Sequence, residues 1–202
     1  MLVDASVARS FAVVGWTRHL IQLCGGTILV ADGVHGAYPD DPSELRRIRE
    51  ALQREAYDAG LGSGRSSRAL SAVQGLDELL ALGTSELSVL TPSDGEVELA
   101  VRLLSRRPED RAWRHSLGAR ARRLDAGESV SIAIALTRSL SFASDDDDAF
   151  TLWKALSNKP GWQTRDLLRE LVDRGVVVEQ AAREVYHVLR TDDLHSLGGP
   201  PW

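Results

Sequence analysis

The sequence predicts an α/β fold, a three-layer α/β/α arrangement with a mostly parallel central sheet followed by a C-terminal pair of helices. Short apolar or β-branched runs alternate with longer segments of helical periodicity, and this alternation is typical of a parallel sheet with helices on both faces. The runs predicted as strands are residues 1–4, 27–30 and 86–90, and a short one that ends at Asp145. The last two amphipathic segments, 164–174 and 178–189, predict the C-terminal helices.

The first quarter of the chain predicts a strand, a helix, a second strand and a loop. Apolar residues spaced as one helical face follow the first strand, and Gly25-Gly26 is expected to end this helix. Residues 31–41 are rich in Gly, Asp and Pro and predict a loop. Asp41-Pro42 then predicts a helix start, with the aspartate as N-cap and the proline at the first helical position.

The middle of the chain predicts two helices around the third strand. Residues 60–67 (GLGSGRSS) are interpreted as a flexible connector, since no strand precedes them and they lack the GK[ST] ending of a phosphate-binding loop. Residues 68–83 predict a helix, and Thr91-Pro92 is expected to open another that runs through Leu104. Residues 106–123 are basic and aperiodic.

Length and composition predict one well-cored domain at residues 1–158, with the helical extension 159–202 packed on it. No apolar run approaches the roughly 20 residues of a membrane span, and no signal peptide is visible. The single cysteine, Cys24, agrees with a reducing compartment, so we expect a cytoplasmic protein without a membrane partner. The net charge of −5 argues weakly against nucleic acid, but clustered arginines leave basic zones that a polyanion can use.

Acidic residues follow two of the predicted strands. Asp4 ends the first strand, and Asp145 begins a run of four aspartates after a later one. Each acid also has an ordinary structural interpretation: Asp4 as a helix cap, Asp125 and Glu128 as a capping box, and the aspartate run as a solvated turn in which Asp147 and Asp148 cap the next helix. Taken together, the acids favour a site for a hard divalent cation, because carboxylates crowded without a cation repel one another.

The chain resembles the PIN domain family of metal-dependent ribonucleases, which includes many toxins of prokaryotic toxin–antitoxin pairs. The similar segments are LVDASVARSF at the start, TILVADGVHGAY at the second strand, LDAGESVSIAIAL in the middle and SLSFASDD after it. The resemblance covers about residues 1–155, and the C-terminal helices resemble the tail of longer members. It implies an endoribonuclease that cleaves RNA phosphodiester bonds, with Mg²⁺ or Mn²⁺ as cofactor, a possible antitoxin partner and a possible homodimer.

The resemblance also implies roles for individual residues. Asp4, Glu128, Asp145 and Asp146 would be the catalytic acids; Asp4 with Asp145 or Asp146 would ligate the metal, and Glu128 would orient its water. Ser6 would contact the hydration shell or a phosphate. Of the five histidines, His35 alone is expected to fall near the proposed site, which makes it a candidate for contact with the substrate phosphate.

One departure from the family pattern concerns the second acid. Family members place a glutamate on the helix after the second strand, where this chain has Val34 to Ala37. Asp32 is slightly early, Asp40 and Asp41 are slightly late, and Glu44 is a full turn later. Either one of these replaces the glutamate, or the chain is a catalytically degenerate module that binds RNA or a protein partner. A phosphoryl-accepting receiver-like domain is a third hypothesis, disfavoured because no lysine lies on a later strand.

Overall fold

The structure is a computed structural model that describes residues 1–36, 42–60, 62–116 and 124–191. The strands are β1 (Leu2–Val3), β2 (Ile28–Ala31), β3 (Leu87–Leu90), β4 (Phe142–Ala143) and β5 (Gly161–Trp162). The helices are α1 (Ala5–Val13), α2 (Thr17–Leu23), α3 (Asp32–His35), α4 (Glu44–Asp58), α5 (Gly64–Leu80), α6 (Asp94–Leu104), α7 (Pro108–Ser116), α8 (Ala126–Thr137), α9 (Asp147–Leu156), α10 (Thr164–Asp173) and α11 (Glu179–Thr191).

The five strands form one parallel sheet in the order β3-β2-β1-β4-β5. The chain moves from β1 outward to β3, returns to the centre at β4 and continues to the other edge at β5. The direction of winding therefore reverses between β1 and β4, and open α/β sheets bind ligands outside the carboxyl ends of strands at such a reversal. Asp4 directly follows β1 there, and Ser144 and Asp145 directly follow β4.

The helices form two layers, which confirms the predicted three-layer α/β/α class. One group is built around α1, which packs against α2, α5 and α10. The other is built around α8, which packs against α6, α9 and the strands β1 and β2. Phe11 and Leu76 from the first group are fully buried, as are Ile132 and Trp153 from the second and Phe142 of the sheet.

The predicted first helix is two helices in the structure. α1 ends at Val13 and α2 begins at Thr17, with Gly15 between them at a φ of 71°. This left-handed conformation favours glycine, which has no Cβ to clash with the backbone. The second strand is shifted by one residue from the predicted 27–30.

Two predicted helix starts are wrong because serines cap the helices instead. α4 has Ser43 as its N-cap, with its hydroxyl accepting from the backbone N–H of Arg46 at 3.4 Å, so Pro42 is not the first helical residue. The predicted cap Asp41 lies outside the described residues. α6 has Ser93 as its N-cap and starts at Asp94 instead of Pro92.

Three other segments differ from the sequence interpretation. The second half of the predicted connector 60–67 is helical, because α5 begins at Gly64 with Ser63 as its cap. Residues 108–116, predicted as aperiodic, form α7. β5 was not predicted; it pairs with β4, within the stretch interpreted as the C-terminal extension. The helices α10 and α11 confirm the predicted pair, and the tail beyond Thr191 lies outside the described residues.

Candidate functional site

An acidic cleft of about 380 Å³ lies at the carboxyl ends of β1 and β4. It brings together five of the residues that the sequence nominated, and it adds others that the sequence analysis did not place there. The nominated residues are Asp4, Ser6, Glu128, Asp145 and Asp146. The additional ones are Arg9, Ile48, Asp147 and Asp148, together with Glu44, which the sequence offered only as one possible replacement for the missing glutamate.

Asp4 is anchored to the sheet at the floor of this cleft. It is 3% exposed, and its backbone N–H donates to the carbonyl of Ala143 at 2.9 Å, which extends the pairing of β1 with β4 by one residue. Its side chain forms no capping hydrogen bond with α1. Asp4 therefore occupies the N-cap position of α1 without capping the helix through its side chain, and its carboxylate is available to the cleft.

Two serine hydroxyls orient the Asp4 carboxylate. Ser6 Oγ donates to Asp4 Oδ2 at 3.1 Å, and Ser144 Oγ donates to the same oxygen at 3.0 Å. Each hydroxyl accepts from a backbone N–H in turn, Ser6 from Asp145 at 3.0 Å and Ser144 from Asp146 at 3.2 Å. Because these N–H groups occupy the hydroxyl oxygens, the hydroxyl hydrogens are directed at Asp4. Ser6 thus contacts Asp4, where the resemblance had implied a contact with the hydration shell or a phosphate.

The second oxygen of Asp4 has no hydrogen-bond partner in the part of the chain that the structure describes. Oδ1 is buried and forms no hydrogen bond with the described residues. Burial raises the pKa of Asp4 from 3.8 to about 6, against the lowering effect of Ser144, Ala5 and Ser6. An unsatisfied buried carboxylate oxygen is costly, and a cation is the ligand that would compensate it.

Asp145 is also buried, but its oxygens are fully engaged. Oδ1 accepts from the Thr164 backbone N–H at 2.7 Å, and Oδ2 accepts from Thr164 Oγ1 at 2.6 Å and from Ser10 Oγ at 3.1 Å. These bonds connect the end of β4 to α10 and α1. These bonds let Asp145 position the end of β4, and the metal-ligand role that the resemblance implies for it stays a prediction.

Asp146 caps α9 while it lines the cleft. Its Oδ1 accepts from the backbone N–H of Ala149 at 2.7 Å. The expectation that Asp147 and Asp148 cap this helix is wrong, because both already belong to α9. Asp147 Oδ1 instead accepts from Gln163 Nε2 at 3.2 Å.

Glu128 belongs to a capping box and also lines the cleft. Its Oε2 accepts from the backbone N–H of Asp125 at 2.8 Å, and Asp125 Oδ1 accepts from the Glu128 N–H at 2.8 Å, which confirms the capping box. The same side chain lines the cleft. Burial, followed by the charges of Asp125, Asp146 and Asp4, raises the pKa of Glu128 to about 8.

Of the two described candidates for the missing glutamate, Asp32 and Glu44, Glu44 lines the cleft. It is the first residue of α4 and lines the cleft. Burial raises its pKa to about 7, and the charges of Asp4 and Asp125 contribute. The sequence signal for Glu44 was its position in the first turn of an amphipathic helix. The sequence spacing alone did not assign Glu44 to the site, because α3 and residues 37–41, which the structure does not describe, lie between it and the second strand.

The other candidates that the structure describes, His35 and Asp32, are not among the residues that line the cleft. His35 lies at the end of α3 and is not among the residues that line it; its Nδ1 is 3.1 Å from the carbonyl oxygen of Gly36. Asp32 is on α3, and Asp40 and Asp41 lie outside the described residues.

The acids share one cleft without converging on one ion position. Within residues 1–36, 42–60, 62–116 and 124–191, no group of three or more His, Cys, Asp or Glu side chains is arranged to hold a metal ion. The donor chemistry nevertheless fits a hard divalent cation, since the potential ligands are carboxylates and one of their oxygens, Asp4 Oδ1, is buried without a partner. Asp4, Glu44, Glu128 and Asp146 line the cleft and are the side chains that would supply ligands to such an ion.

Comparisons with protein-family models, with characterised proteins and with solved structures find no match to this chain. Among the helices that the structure describes, none has both the length and the apolar character that crossing a membrane requires.

Proposed function

We propose that this chain is a metal-dependent ribonuclease of the PIN-domain type, which hydrolyses RNA phosphodiester bonds with Mg²⁺ or Mn²⁺. The observation that carries the proposal is the unpartnered Oδ1 of Asp4, buried at the reversal point of the sheet and surrounded by other carboxylates. The order of the acids along the chain and the resemblance of the flanking segments support it.

The raised pKa values point to the same conclusion. Asp4, Glu44 and Glu128 all bind protons more tightly than free carboxyl groups do, first because they are buried and then because their charges repel. A divalent cation reverses both effects, since its charge favours the ionised carboxylates. When bound, the ion would stabilise the negative charge that develops on the phosphate and would activate water for attack.

The chain's own residues have separable tasks in this proposal. Asp4, Glu44, Glu128 and Asp146 bind the ion. Ser6 and Ser144 hold Asp4 in one orientation, and their backbone partners fix them in turn. Asp145 fastens the end of β4 to Thr164 and thereby positions the backbone of Asp146. A fixed carboxylate arrangement matters because small displacements of metal ligands reduce catalysis strongly.

The proposal is tested by RNA cleavage with the purified chain. We expect cleavage of single-stranded RNA with Mn²⁺ or Mg²⁺, loss of cleavage with EDTA, and loss in Asp4→Asn. Asp173→Asn is the matched control, since it makes the same change at an exposed position at the end of α10. Cleavage that survives both EDTA and Asp4→Asn would contradict the proposal.

A second candidate is a catalytically degenerate module that binds RNA or a protein partner. It is favoured by the engagement of Asp145 and by the lack, among the described residues, of a preassembled metal site. Calorimetric titration with Mn²⁺ separates the two. Affinity weaker than millimolar together with retained RNA binding would support the degenerate module.

The toxin role rests on the resemblance alone. We propose a neighbouring open reading frame as the source of the antitoxin. Expression of this chain alone is expected to arrest growth, and co-expression of the neighbour is expected to restore it. Light scattering after size-exclusion chromatography tests the proposed homodimer.

A further inference from the structure

Arg9 is a cation inside the acidic cleft. It is the single basic residue among the described residues that line the cleft, where its neighbours include Asp4, Glu44 and Glu128. It lies on α1 three residues after Ser6 and one before Ser10, so these three side chains share one helix face. Ser6 and Ser10 bond Asp4 and Asp145, which shows that this face is turned toward the site.

The Arg9 guanidinium has an unused donor. Its Nε is buried and forms no hydrogen bond with the described residues. Burial lowers the pKa of Arg9, and the charges of Glu44 and Glu55 oppose this lowering. An arginine side chain remains charged in proteins, so the cleft holds a partly desolvated cation whose hydrogen-bonding capacity is not saturated.

The excess of acidic residues in the cleft makes the positive charge of Arg9 important for binding a phosphate. Acidic residues repel a phosphate, and a single divalent ion among several carboxylates leaves the cleft negative or close to neutral. A phosphodiester therefore needs a further positive group near the metal position. A guanidinium suits this role, since its planar fork of N–H donors pairs with two oxygens of a phosphate at once.

We propose that Arg9 binds the non-bridging oxygens of the RNA phosphate that is held in the cleft for cleavage. This inference rests on the proposed ribonuclease function and adds a substrate-binding residue to it. The alternative is that Arg9 serves only as an internal counter-ion for Glu44. Both roles permit tighter Mn²⁺ binding when the cation is removed, but only phosphate binding lowers RNA affinity and its dependence on salt.

The experiment measures RNA binding and metal binding separately in the full chain. The binding probe is a fluorescein-labelled, mixed-sequence single-stranded RNA of 20 nucleotides, titrated in Ca²⁺ at several salt concentrations; Mn²⁺ alone is titrated by calorimetry. The variants are Arg9→Gln and Arg9→Lys. Arg54→Gln is the matched control, because it removes the same charge from an exposed position of α4 outside the cleft.

For Arg9→Gln we expect RNA affinity to fall by about tenfold, as for the loss of a charged hydrogen-bonded contact. We also expect the slope of log affinity against log salt to become shallower by about 0.7. Mn²⁺ affinity should be unchanged or tighter. Arg9→Lys keeps the charge, so it should retain the salt slope while its RNA affinity falls severalfold. If Arg9→Gln does not fold, the comparison of Arg9→Lys with the wild type tests the inference.

Several results would overturn the inference. RNA affinity and salt slope in Arg9→Gln equal to those of Arg54→Gln would show that Arg9 does not contact the phosphate. Wild-type affinity in Arg9→Lys would show that no paired contact is made. Failure of the ribonuclease proposal itself would give a different result from failure of the Arg9 inference. The wild-type chain would then neither bind Mn²⁺ nor cleave RNA, whatever residue occupied position 9.

Discussion

Thr164 occupies both carboxylate oxygens of Asp145, one through its backbone N–H at 2.7 Å and the other through its hydroxyl at 2.6 Å. Asp4, across the β1–β4 pair, has one oxygen bonded by serines and the other buried without a partner. The two aspartates follow adjacent strands and are almost equally buried. Their partners predict different roles, since the protein bonds both oxygens of Asp145, whereas Oδ1 of Asp4 has no partner among the described residues.

The first prediction is that Asp145 supports stability. Asp145→Asn should lower the free energy of unfolding by about 1–3 kcal/mol, because an amide nitrogen would face the donors of Thr164 or Ser10. Thr164→Val should lower it by a similar amount, since it removes the hydroxyl and keeps the shape. Urea unfolding measures both.

Asp4→Asn is the comparison for this prediction. It removes a carboxylate that is only half satisfied, so we expect stability in EDTA at pH 7 to be unchanged or higher. Equal destabilisation by Asp4→Asn and Asp145→Asn would contradict the division of roles between the two residues.

The second prediction concerns pH. The pKa of Asp4 is raised from 3.8 to about 6 in the folded chain, so the folded state holds its proton more tightly than the unfolded state does. The stabilisation is therefore complete below about pH 4 and is lost as the pH rises through 6. The loss for this group is about 3 kcal/mol in the metal-free protein.

Urea unfolding between pH 4 and 8 in EDTA measures this loss. Asp4→Asn should make the profile shallower between pH 4 and 6, and the raised pKa values of Glu44 and Glu128 should leave a decline that begins near pH 4.5 and continues toward pH 8. Glu96 acts in the opposite direction, but only below about pH 4.5, because Arg138 lowers its pKa to about 2. A wild-type profile that is flat from pH 4 to 8 would contradict the prediction.

The third prediction is that Glu44 supplies a ligand to the metal. Glu44→Gln should weaken Mn²⁺ binding by about tenfold or more, since even residues that only orient metal ligands contribute about 10- to 100-fold. Calorimetry measures the affinity, and Glu50→Gln, an exposed position on the same helix, is the control. Equal Mn²⁺ affinity in the two variants would show that Glu44 is not a ligand of the metal.

The fourth prediction concerns the contact between α1 and α5. A Cβ added to Gly75 would lie 1.8 Å from the carbonyl oxygen of Ala12, so the helices must separate to accept it. Gly75→Ala should lower the free energy of unfolding by about 1–3 kcal/mol, as overpacking does. A separation of α1 would also displace Ser6, so Mn²⁺ affinity should fall as well.

Gly95→Ala is the control for this contact. Gly95 is also helical, and nothing lies within 4 Å of the added Cβ. Alanine is favoured over glycine in helices by up to about 1 kcal/mol, so this variant should be as stable as the wild type or slightly more stable. Greater stability of Gly75→Ala would contradict the close approach of the two helices.

Local sequence patterns were sufficient to predict most helices and strands, and they also predicted the interaction between one pair of site residues. Periodicity located the main helices, and the capping box of Asp125 and Glu128 was visible because its atoms lie three residues apart. The same locality explains the errors. Ser43 and Ser93 cap helices where a preceding Asp-Pro or Thr-Pro pair offered an equally plausible local start. β5 is two residues long, too short for a periodic signal.

Residue order along the chain determined that acids would follow adjacent parallel strands. Tertiary structure decided which of those acids can bind an ion, because that depends on partners distant in sequence. Thr164 satisfies Asp145 from 19 residues away, and Ser144 bonds Asp4 from 140 residues away. Glu44 and Arg9 enter the cleft only through the packing of α4 and α1. A carboxylate is the same group in every sequence, and its burial, its hydrogen bonds and its neighbouring charges make it a cap, a support or a ligand.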